Sequence, residues 1–273
     1  LDKIKKVIAG GCSFTAGSEL KDWDAQQPNI GILRPRSDFT WANWLQKKIY
    51  KNATVDNTAI PGSDYGGCVR RVIFQTNKML KIYKPDEIVV CIMWTSILRR
   101  EYPRVSPIDT ETLNDDEDRF FSSLPSDGDG LKSYWSIRSG IERRQYISDE
   151  HLARTLIEFY TRRATADNHI YYPLQQLEYL TSWLKMHNVK FYYTCAFNDL
   201  LSLEHHQPNV FYEDMKQRLD LKNIVHTEDN QGFYDWAKKH NYKCGETDHP
   251  LEAAQEKWAD LFSKYIVDKN KTI

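Results

Sequence analysis

Val7-Ile8-Ala9-Gly10-Gly11-Cys12-Ser13-Phe14-Thr15-Ala16-Gly17 is the stretch on which the reading of the whole chain depends. Lys3 to Ala9 has the pattern of a buried strand, with Val7, Ile8 and Ala9 as an apolar core behind lysines. Gly10-Gly11 lets the backbone turn without a Cβ penalty. Ser13 then falls at the carboxyl end of that strand, where open α/β sheets place their ligands. A serine on a tight turn there presents its hydroxyl, and nearby amides can face a developing negative charge. A glycine-serine turn also suits phosphate, so the reading depends on finding a base elsewhere.

Outward from this stretch, strand and helix patterns alternate. The apolar spacing of Phe39 to Tyr50 predicts a helix with Trp41, Trp44, Leu45 and Ile49 on one face. Ala53 to Ala59 alternates like a second strand, which Ile60-Pro61-Gly62-Ser63 breaks. A helix follows, capped by Ser63 or Asp64 and running to Tyr83. Glu87 to Trp94 is near-continuously apolar, as expected of a strand covered on both faces. This alternation predicts a parallel sheet with right-handed crossovers.

The pattern then lapses. Pro103 to Gly130 is acidic and aperiodic, and helices are predicted over Ser148 to Ala164 and Asn168 to Met186. Residues 103–186 together read as an inserted lid or lobe within a single domain spanning 1–273. Val189 to Ala196 is a fourth strand, Phe211 to Leu219 a helix, and Asn223 to His226 a short fifth strand. Gly232 to His240 and Leu251 to Ile266 are the last helices.

The 273-residue chain has a formal net charge of −1, so bulk electrostatics favours neither nucleic acid nor an anionic membrane surface. No apolar run reaches the ~18 residues of a bilayer span. The 13% aromatic content suits core packing, and also a carbohydrate- or protein-facing surface. The cysteines at 12, 68, 91, 195 and 244 form no CxxC pair, which points to a reducing compartment. With no signal peptide before the first strand, the chain is expected to be cytoplasmic at synthesis.

The candidate base lies near the other end, in Gly245-Glu246-Thr247-Asp248-His249-Pro250. Pro250 restricts His249 and suits the first turn of the last helix, so His249 stands just ahead of it. A metal at Cys244, Asp248 and His249 would lack a second ligand pair at recognisable spacing.

A strand-end serine near the start, with acidic-x-x-His-Pro before the last helix, resembles the SGNH (GDSL-type) hydrolase superfamily. That family's Gly-Asp-Ser and Asp-x-x-His blocks stand here as Gly11-Cys12-Ser13 and Glu246-x-x-His249. The Cys-Ser-Phe-Thr form of the first block is most similar to the divergent phage-encoded branch. The resemblance implies a three-layer α/β/α domain, flavodoxin-like, with a parallel sheet of about five strands. It implies serine-dependent ester hydrolysis with no cofactor and no metal. Ser13 would be the nucleophile and His249 the base. The orienting acid would be Glu246 by spacing, or Asp248 by residue type.

Oxyanion donors implied by the family are the amides of Ser13 and Gly62 and an asparagine after the third strand. Met93-Trp94-Thr95-Ser96 stands at that last place, so Thr95 takes the position, with Ser96 as the fallback. Arg99, at the expected rim, would hold a carboxylate or sugar acid of the substrate. The implied partner is a small-molecule or carbohydrate ester. Cys12 is an alternative nucleophile, and a thiolate would be needed. Two rival readings remain. One is a catalytically degenerate SGNH fold serving as a binding or virion component, with 103–186 as its protein contact. The other is a phosphate- or nucleotide-binding protein, which would lack a Walker lysine and GxGxxG spacing.

Overall fold

The computed structural model describes residues 1–23, 37–97, 100–103, 134–137, 166–198, 224–225, 227 and 231–271, the backbone alone for 100–103, 134–137 and 166–170. The helix expected over Phe211 to Leu219 and the one over Ser148 to Ala164 lie outside these residues.

The centre is a parallel sheet. β1 (Lys6–Gly10) lies between β2 (Thr54–Asn57) and β3 (Ile88–Trp94), and β6 (Lys190–Cys195) flanks β3 on its far side. The register sets Ala9 beside Asn57, Gly10 beside Ile92, and Trp94 beside Cys195. All of β3 is buried, which accounts for its unbroken apolar run. Among the described residues this sheet has four full strands, where about five were expected. The expected fifth, Asn223 to His226, is present as a parallel bridge from Ile224 to Tyr193, with the Val225 amide donating to the Tyr193 carbonyl at 2.7 Å.

Helices cover both faces. α3 (Tyr65–Leu80) and α4 (Ala166–Met186) pack on one face, burying Val69, Val72, Leu177 and Leu180 against Ile8, Val90 and Ile92. α2 (Trp41–Ile49), α5 (Phe233–Lys239) and α6 (Glu252–Lys271) cover the other, burying Leu45, Phe233, Trp258 and Phe262 against Val7, Val89 and Cys91. Alternate strand residues feed the two cores, as the pleat requires. Asp64 caps α3, its carboxylate accepting from the Gly67 amide at 2.7 Å.

Parts of the span 103–186, expected to form an inserted lobe, are among the described residues. Its last part, α4, is the crossover helix between β3 and β6, and Leu174, Leu177, Leu180 and Leu184 are buried in the main core. A strand also reaches into its start: β4 (Arg100–Pro103) pairs antiparallel with β5 (Tyr134–Ile137).

Candidate active site

Gly11 has φ 152°, and a Cβ there would come within 2.9 Å of the Met93 carbonyl, so the turn after β1 needs glycine. Ser13 opens the four-residue helix α1 (Ser13–Ala16), which ends at Gly17 with φ 87°. Ser13 is the first helical residue and not its cap; Cys12 holds the cap position without a side-chain bond.

Neighbouring elements lash this turn down. Asn57 at the end of β2 donates to the Thr15 carbonyl at 2.6 Å, and Trp41 Nε1 donates to Thr15 Oγ1 at 3.1 Å. Gln255 of α6 donates to the Phe14 carbonyl at 3.2 Å. Cys12 is fully buried in the core beneath α2, α5 and α6, an inert setting for a thiol.

His249 is carried by a hairpin. Gly245 donates its amide to the His249 carbonyl at 2.9 Å, and the Asp248 amide donates back to the Gly245 carbonyl at 3.1 Å. Glu246, Thr247 and Asp248 form the three-residue loop, with Asp248 left-handed at φ 65°. Such loops join a tight turn to one left-handed residue. Beyond it, Cys244 and Pro250 bridge antiparallel. The hairpin lays the His249 ring edge-on against Phe14, the residue after Ser13, with centroids 5.1 Å apart. The hairpin thus brings the His249 ring onto the residue that follows Ser13 in the chain. Among the described residues the His249 Nδ1 hydrogen bonds run to Thr247 Oγ1 at 2.8 Å and Glu19 Oε2 at 2.7 Å.

The carboxylate at His249 is neither expected residue. Glu246 and Asp248 are exposed on the hairpin loop. Asp248 pairs with Lys238 at 2.7 Å, which holds its carboxyl below the usual range. Instead, Glu19 Oε2 lies 2.7 Å from His249 Nδ1. The same carboxylate accepts from the Thr247 amide at 2.9 Å and the Thr247 hydroxyl at 2.8 Å. Burial pushes the Glu19 carboxyl up, but the Thr247 amide and hydroxyl and His249 outweigh it and hold it below the usual carboxylate range. The ionised carboxylate only accepts, so Nδ1 carries the proton of this hydrogen bond. The Glu-x-x-His spacing places both acids in the hairpin loop. No spacing marks Glu19 in its polar stretch.

On the donor side, Gly62 follows β2 at φ 83° and is buried. Thr95 follows β3 and is 3% exposed, and its hydroxyl has no hydrogen-bond partner among the described residues. Ser13 follows β1 and Thr95 follows β3, so both stand beyond the carboxyl ends of two paired parallel strands. Arg99 lies outside the described residues. Among the described residues, no group of His, Cys, Asp and Glu could hold a metal ion, and no helix is long and apolar enough to cross a membrane.

No protein-family profile and no curated protein matches the chain. Several solved structures align over nearly its full length. A psychrotrophic esterase, EstA, from Pseudoalteromonas sp. is 12% identical, with 98% of this chain and 99% of that one covered at a TM-score of 0.47. The acetylxylan esterase Axe2 from Geobacillus stearothermophilus is 15% identical, with 96% and 94% covered at 0.43. A lipolytic protein of the G-D-S-L family from Veillonella parvula is 10% identical, with 97% of each chain covered at 0.42.

Proposed function

We propose that this protein is a serine-dependent ester hydrolase acting on a small-molecule or carbohydrate ester. One observation carries the reading: His249, its Nδ1 against a carboxylate, is packed on the residue that follows Ser13. A scaffold has no need to bring an oriented imidazole to a serine turn across almost the whole chain.

In this reading Ser13 Oγ attacks the acyl carbon as His249 Nε2 takes its proton. The amides of Ser13 and Gly62 and the hydroxyl of Thr95 receive the negative charge on the carbonyl oxygen. The protonated imidazole then gives its proton to the departing alkoxide. Water, deprotonated by the same nitrogen, attacks the acyl-serine; its collapse releases the carboxylic acid and returns the proton to Ser13. Thr95 supports this assignment because a buried hydroxyl without a partner is costly unless something else uses it.

Labelling with a fluorophosphonate probe tests the reading, alongside turnover of p-nitrophenyl acetate. The native protein should label, and Ser13→Ala should not. His249→Ala should slow turnover by about 100- to 10,000-fold, the worth of a positioned base. A folded native protein that neither labels nor turns over the ester would sink the hydrolase reading.

A further inference from the structure

We infer that Glu19 is the positioning carboxylate of His249, so that nucleophile and orienting acid come from one stretch of chain and the base alone from the other end. This rests on the hydrolase reading and deepens it.

The hairpin is shaped around that carboxylate. Thr247 donates its amide at 2.9 Å and its hydroxyl at 2.8 Å, and His249 Nδ1 lies 2.7 Å away. The His249 amide approaches the same oxygen at 3.4 Å. A Cβ at Gly245 would come within 2.7 Å of the Glu19 carboxyl carbon and 2.8 Å of its Oε2, so glycine is what leaves room for the carboxylate. Glu19 itself is held at φ 65°, a conformation that a long side chain rarely adopts without a compensating contact. The rival acids are otherwise engaged or exposed: Asp248 is paired with Lys238, and Glu246 is at the exposed hairpin tip.

A positioning role differs from hairpin docking by what it does to the imidazole. With the neutral amide of Glu19→Gln, the protonated ring of the reaction loses its countercharge and the Nδ1 proton its strong acceptor. The hairpin can keep its remaining bonds.

The experiment compares the full-length protein with Glu19→Gln, Glu19→Asp, Gly245→Ala and Glu246→Gln, by p-nitrophenyl acetate kinetics and proton NMR. Glu19→Gln is expected to lower kcat by about 1,000- to 10,000-fold with little change in KM, as when a triad acid becomes an amide. A low-field Nδ1–H resonance should be present in the native protein and lost in Glu19→Gln. Gly245→Ala, which fills the carboxylate's seat without altering its charge, should reproduce both effects, and Glu19→Asp should recover part of the rate. Native kcat in Glu19→Gln, an unmoved low-field resonance, or an equal kcat loss in Glu246→Gln would each overturn the assignment. A native protein inert to probe and ester, yet with a Glu19-dependent resonance, would overturn the hydrolase reading alone.

Discussion

Thr95 sets a residue-scale conflict between folding and chemistry. Its hydroxyl is buried at the end of β3 with no partner among the described residues. Leaving such a group unsatisfied costs about 1–3 kcal/mol. Valine has nearly the same shape without the hydroxyl, so Thr95→Val should fold at least as stably as the native protein. If the hydroxyl serves the oxyanion, the same change should lower kcat by about 100- to 1,000-fold, with KM nearly unchanged. Thermal denaturation and steady-state kinetics on the one variant read both effects. A lower Tm with unaltered kcat would make Thr95 a packing residue. Ser13 and His249 stand out in the sequence as candidates because each sits at a marked boundary, a glycine turn after a strand and a proline before a helix. Glu19 does not, because its partnership with His249 spans the chain and depends on a left-handed backbone that no local pattern signals.

Between elements, Gln255 does what no single helix could. It is 1% exposed, and its Oε1 accepts from the Trp41 amide at 2.9 Å at the start of α2. Its Nε2 donates to the Phe14 carbonyl at 3.2 Å and reaches the Pro250 carbonyl at 3.4 Å. One side-chain amide on α6 therefore joins the serine turn, the start of α2 and the histidine segment. Gln255→Met keeps the bulk but leaves the Trp41 amide without this acceptor. It should cost about 1–3 kcal/mol in urea unfolding, and slow fluorophosphonate labelling of Ser13. A variant as stable and as reactive as the native protein would show the clamp to be dispensable. Most elements were legible from apolar spacing: α2, α3, β3, β6 and α5 fall within a few residues of expectation. α4 was read as a helix, and its place in the main core was not legible, because periodicity reports an apolar face without saying which surface it meets.

Across the whole molecule, strand order explains why the site is where it is. From β1 the chain crosses to β2 on one side, then returns to β3 on the other. Open α/β sheets bind ligands outside the carboxyl ends where the order reverses, and Ser13 and Thr95 follow the two strands on either side of that point. α6 and the hairpin before it must then be anchored on the side away from α3 and α4. Two carboxylates contribute to this anchoring. Glu19 holds the hairpin, and Asp260 holds α6 to α2 through Lys48 at 2.7 Å. Burial pushes the Asp260 carboxyl up, but Lys48 and Lys257 outweigh it and hold it below its ordinary 3.8. Glu19 is likewise held below its ordinary 4.5. A depressed folded-state pKa means that the unfolded chain takes up the proton first. The stability from each group is therefore fully present above its ordinary value and is lost as pH falls through the folded-state value. For Glu19 the native protein should exceed Glu19→Gln in urea midpoint near neutral pH, and the gap should begin to close below pH 4.5. Urea titrations of both proteins at descending pH measure this directly. A gap that stays constant through the acid range would mean that Glu19 contributes through shape and not through charge.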